Sequence, residues 1–136
     1  MRDGSDEVPR RLEELSPLLG LTLSKRRERV APPPANEGWD LRFGTSDAVK
    51  GWEKVCAAAP ANARVAWERL TADPRDRTDR QHPLKGNLGR RTVNGSEMEQ
   101  WQYEVTAGGR LWYCIDDAKR TVWLMEASPG HPKATD

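Results

Sequence analysis

Residues 99–126, EQWQYEVTAGGRLWYCIDDAKRTVWLME, decide how this chain folds. Successive side chains of a strand point to opposite faces, so in the first part Trp101, Tyr103 and Val105 share one side while Gln100, Gln102, Glu104 and Thr106 share the other. Such a strand has one dry and one wet face. Gly108 and Gly109 turn the chain into RLWYCID, where Leu111, Tyr113 and Ile115 alternate with Arg110, Trp112 and Cys114. Asp117, Ala118 and Lys119 turn it again into TVWLMEA. The last two runs are apolar on both faces, the pattern of central strands, and the whole is expected to be a three-stranded antiparallel meander.

Upstream, WDLRF alternates Trp39, Leu41 and Phe43 with Asp40 and Arg42, another half-buried strand, ended by Gly44. Thr45 or Ser46 can then cap a helix in which Val49, Trp52, Cys56 and Ala59 recur at three- and four-residue spacing, closed by Pro60. A second helix is predicted from about Asn62 to Ala72, with Ala63, Ala66, Trp67 and Leu70 as its apolar stripe. Asp73 before Pro74 ends it. Residues 73–91, DPRDRTDRQHPLKGNLGRR, are polar and interrupted by Gly and Pro, and are expected to form a loop. The fold class is therefore α+β: an N-terminal strand, a helical hairpin and the meander, two helices against one sheet with the other sheet face open.

Residues 1–37 differ in composition. RRLEELSPLLGLTL suits a short amphipathic helix, but KRRERVAPPPANEG is charged and then proline-rich, so an arm attached loosely to a domain spanning residues 38–136 is expected. Net charge is +1, from 22 basic and 21 acidic side chains, which excludes an argument for nucleic-acid binding from bulk charge. Cys56 and Cys114 lie in apolar segments without metal-ligand spacing and suit buried thiols in a reducing compartment. With no run of about 18 apolar residues and no apolar signal-like start, a soluble cytoplasmic protein without membrane contact is expected.

No motif of a cofactor-dependent reaction occurs, whether a phosphate-cradling glycine loop, HExxH or a serine elbow, and neither cofactor nor metal is expected. What stands out is a basic constellation: Arg80, His82, Lys85, Arg90 and Arg91 without an intervening acid, with Arg110, His131 and Lys133 at strand ends. RNA is cleaved without a metal when one group takes the proton of the 2′-hydroxyl, another protonates the leaving 5′-oxygen and cations hold the phosphate. Histidine serves both proton tasks, and the chain has two, His82 in HPLK and His131 in HPK. Each also suits an ordinary solvated turn, and Arg110 is equally placed for an ion pair with Glu104 across the ladder.

The order of strand, two helices, PLKGNL, a Trp-bearing strand, GGRLWY and a last strand running to a histidine resembles the RelE/ParE superfamily of toxins from toxin–antitoxin systems, most closely its YoeB-like branch. The likeness spans residues 38–133. It rests on Pro83, Leu84 and Lys85, then Trp101, then Arg110, Leu111 and Tyr113, and lastly His131. The resemblance implies an endoribonuclease that cuts mRNA on the ribosome and is neutralised by a cognate antitoxin protein. Together with the basic constellation it points to a site in which His82 is the catalytic base, His131 the acid, and Arg110 with Lys85 clamps the scissile phosphate, Lys133 assisting and Arg90 and Arg91 as further phosphate ligands. The chain departs from the branch where His82 replaces a carboxylate before Pro-Leu-Lys, where Pro132 replaces the final tyrosine, and where Tyr103 and Glu104 replace paired arginines. The alternatives are a ParE-like inhibitor of DNA gyrase without nuclease activity and a non-enzymatic partner-binding module, because one scaffold hosts several activities.

Overall fold

The computed structural model describes residues 25–30, 32 and 38–130. Its elements are β1 (Asp40–Phe43), α1 (Ser46–Ala58), α2 (Pro60–Ala72), β2 (Gln81–Pro83), a 3-10 turn (Gly86–Gly89), β3 (Arg90–Val93), β4 (Ser96–Thr106), β5 (Gly109–Asp116) and β6 (Thr121–Ser128). The strands form a six-stranded sheet in the order β1-β6-β5-β4-β2, with β3 also pairing β4. Only β1 and β6 are parallel neighbours; the other pairs are antiparallel. The molecule is α+β, with two helices on one sheet face. No described helix is long and apolar enough to cross a membrane.

Thr45 fixes the start of α1: its hydroxyl oxygen accepts from the Ala48 amide at 3.0 Å and donates to the Met125 carbonyl at 2.7 Å, so one side chain caps the helix and ties it to β6. Gly51 is required by the same closeness, since a Cβ there would lie 2.1 Å from the Ala127 carbonyl oxygen. Pro60 does more than close α1. It is the first residue of α2, where a missing N–H costs nothing, and only Ala59 separates the helices. Between helices and sheet lie Leu41, Phe43, Leu70, Leu111, Tyr113 and Leu124, all buried. The phenol of Tyr113, fully buried, donates to the Pro74 carbonyl at 2.7 Å and so pins the exit of α2 to the centre of the sheet.

The segment expected to be a loop, residues 73–91, contains more structure. It holds β2, the 3-10 turn and the first half of β3. The reason for β3 lies just beyond it: Asn94 and Gly95 both have positive φ, +51° and +85°, the conformation of a two-residue hairpin turn whose twist matches the flanking strands. β3 and the first half of β4 thereby form a ribbon.

That ribbon alters a second expectation. The sheet face away from the helices is not wholly open, because Val93 and Met98 from the ribbon pack with Cys114, Trp123 and Met125 into a second buried cluster. The ribbon tip also reaches across to the N-terminal segment, where the Arg27 guanidinium donates to the Asn94 side-chain oxygen at 3.2 Å.

Residues 25–30, within the segment expected to be a loose arm, run along β1. Val30 N donates to Leu41 O at 2.6 Å and Phe43 N to Glu28 O at 2.8 Å, while Arg27 N donates to Phe43 O. Val30 is 2% exposed and belongs to the main core, and its carbonyl accepts from the Trp67 indole at 3.2 Å. At the opposite margin, β2 turns the backbone groups of Gln81 and Pro83 away from β4. The Gln81 amide and carbonyl are both paired with Thr78, Pro83 has no N–H, and the Pro83 carbonyl lies 3.2 Å from the His82 ring.

Candidate functional site

The half of the second face not covered by the ribbon carries the polar side chains of the sheet. Strand register sorts them into rows, since directly opposed residues share a face. One row is His82, Gln102, Trp112 and Glu126, running from β2 through β4 and β5 to β6. The next is Arg80, Glu104, Arg110 and Ser128, in which Glu104 N donates to Arg80 O at 2.7 Å and Arg110 faces Glu104 on one side and Ser128 on the other. Neighbouring strands are about 4.8 Å apart, so Arg80 and Arg110 stand about 10 Å from each other with Glu104 between them.

His82 is half-buried, and its Nδ1 lies 3.2 Å from the Pro83 carbonyl oxygen. With the proton on Nδ1 donating to that oxygen, the lone pair of Nε2 is left to accept a proton from outside. The ring therefore comes with its tautomer set by its own backbone. Trp112, also half-buried, donates its indole N–H to Gln102 Oε1 at 2.8 Å, which holds the ring across the strand pair beside His82.

The end of the described chain closes this side. Thr106 Oγ1 donates to the Pro129 carbonyl at 3.1 Å, and Gly130 packs so tightly on the Gly108–Gly109 turn that a Cβ would lie 2.9 Å from the Gly108 carbonyl carbon. Arg110 directly follows that turn. His131 and Lys133, the acid and the assisting cation implied by the resemblance, lie outside the described residues.

The remaining expected phosphate ligands do not join Arg110. Leu84 N donates to Gln100 O, so Lys85 lies beyond the level of Gln100, whereas Arg110 is level with Glu104. At about 3.3 Å per residue along the strand and two strand spacings across it, the separation is about 16 Å or more. Lys85 and Arg110 thus stand well apart along the sheet, and the cation that flanks His82 together with Arg110 is Arg80. Arg91 lies on the ribbon, where its guanidinium donates to Gln100 Oε1 at 3.1 Å and Glu126 Oε2 at 3.3 Å. Arg90 pairs in register with Glu99, on the helix side, and lies 3.6 Å from the Glu97 carboxylate.

A separate ionic cluster braces the helix side of the same strands. Arg75 bridges Glu99 at 2.7 Å and Asp117 at 2.8 Å, and Glu99 also accepts from the Trp101 indole at 2.8 Å. The Arg75 hydrogen bonds hold the carboxyls of Glu99 and Asp117 below the usual range, against the opposing effect of burial. Burial pushes the Cys114 thiol up to about 12, so it stays protonated and inert. A groove of about 350 Å³ between the helices, lined by Trp52, Cys56, Pro60 and Trp67 among others, is remote from the histidine row.

Gln102 and Glu104 were visible in the sequence only as the wet side of an alternating strand and Trp112 as one face of a strand apolar on both; what identifies them as a site is their register with β2. Comparison with protein-family models, curated proteins and solved structures yields no match.

Proposed function

We propose that the chain is a RelE/ParE-type toxin that cleaves messenger RNA on the ribosome by internal phosphoryl transfer. The observation that carries this reading is that His82, Arg80 and Arg110 occupy two adjacent rows of one exposed sheet face. In the reaction, His82 Nε2 removes the proton from a 2′-hydroxyl and the 2′-oxygen bonds to phosphorus. The bond from phosphorus to the 5′-oxygen breaks, leaving a 2′,3′-cyclic phosphate and a 5′-hydroxyl. Arg80 and Arg110 stabilise the charge that builds on the non-bridging oxygens, and Glu104 between them limits the site's excess positive charge. The proton for the 5′-oxygen is assigned, on the resemblance alone, to His131. Lys85 and Arg91 fit the flanking nucleotides better than the scissile phosphate.

Neutralisation follows from the same charges: an acidic antitoxin segment laid over Arg80 and Arg110 would compete with RNA and weaken as salt rises. The test is cleavage of a ribosome-bound message in EDTA. Wild-type protein is expected to cut it, His82→Ala to lose at least about a hundred-fold and Arg110→Ala a comparable factor. Full activity in either variant, or an intact message accompanied by blocked DNA gyrase, would overturn the reading.

A further inference from the structure

The geometry points to Trp112 as a stacking platform for a nucleobase next to the scissile phosphate, a binding subsite for single-stranded RNA that rests on the function proposed above. Three structural features converge on it. Trp112 supplies the one large apolar ring of the His82–Gln102–Trp112–Glu126 row, and it is half-buried whereas Trp123 on the same face is buried under the ribbon. Its N–H is already satisfied by Gln102 Oε1 at 2.8 Å, so the indole is fixed in orientation and has no remaining polar demand except contact with its face. Arg110 precedes it by two residues on the same side of β5, placing a phosphate ligand at one strand step, about 7 Å, close to the span between neighbouring phosphate and base in an extended strand.

Unlike Trp123, which fills the second buried cluster beneath the ribbon, Trp112 is absent from both buried clusters and keeps part of its surface exposed. Every base offers a π-face, so a fixed ring beside a cation binds single-stranded RNA with little demand on sequence. Gln102 acts as a positioning residue: its Nε2 is left to donate to a base edge while Oε1 holds the indole.

The probe is a short single-stranded RNA with one deoxyribose at the central position, which prevents cleavage. Binding is read from quenching of tryptophan emission and, independently, from anisotropy of a label on the RNA, using the full chain. Wild type is expected to bind with quenching. Trp112→Leu should lose about ten-fold in affinity, and Trp112→Phe should stay within about three-fold while losing the quenched emission. Binding by Trp112→Leu within two-fold of wild type overturns the subsite, even where ribosome-bound message is still cut. No binding by wild type at millimolar RNA also overturns it. Loss of binding in Trp112→Leu by a protein that cuts no message keeps the subsite and removes the ribonuclease reading. Should Trp112→Leu not fold, retained quenching in Trp112→Phe overturns the proposal on its own.

Discussion

Arg75 shows how one side chain can organise a corner of this protein. Its guanidinium joins the loop after α2 to Glu99 on β4 and Asp117 in the β5–β6 turn, three points distant in sequence. Arg77 adds a cationic contact 5.9 Å from the centre of the Trp101 ring. Both carboxylates titrate lower in the folded chain than in the unfolded one, so the unfolded chain binds more protons as pH falls. Their stabilisation is present above about pH 4 and disappears as the pH drops through the native values. Arg75→Gln is therefore expected to raise the acid-unfolding midpoint while changing stability little at pH 8, where the partly exposed pairs are screened. Unfolding monitored across pH 2–8 checks this; an unchanged acid midpoint would mean that the cluster is ornamental.

Among the elements, the ribbon was the least legible in the sequence and the meander the most. Trp101, Tyr103 and Val105 announce their face because a strand's period is two, and all three lie in the main core. Helix α1 was readable for the same reason, with Thr45 as cap. The three-residue β2 has no period of its own to read: Gln81 is buried and polar, placed by its pairing with Tyr103 and by its side-chain amide donating to the Asp73 carbonyl at 3.0 Å. The Asn94–Gly95 pair carried the signal for β3, but the strand it opens, RRTV, has too few apolar residues to declare itself. Gly95→Val forces a β-branched residue into positive φ at a cost of about 1–2 kcal/mol. Hydrogen exchange is expected to speed up in residues 90–99 and hardly at all in β5 and β6. Uniform acceleration would show that the ribbon is not a separate unit.

For the whole molecule, the site depends on strands brought together from residues 80, 104 and 110, and this convergence was beyond reach of the sequence because β2 is too short to announce its partner. The same holds for Val30, whose burial against α2 makes residues 25–30 part of the domain rather than an appendage. Val30→Ala should destabilise the fold by about 2 kcal/mol, and removing residues 1–30 should cost more than removing residues 1–24. Denaturant titrations of the three proteins check this, and equal stability of both truncations would contradict it.

Among the described residues, Thr78, Pro83 and the His82 ring occupy the β2 margin of the sheet and residues 25–30 run along the β1 margin, so these two borders offer few rungs to a foreign strand, whereas β3 pairs with β4 alone. A neutralising protein of the kind proposed would then lie across Arg80 and Arg110 like a cover rather than zip onto either of these two borders.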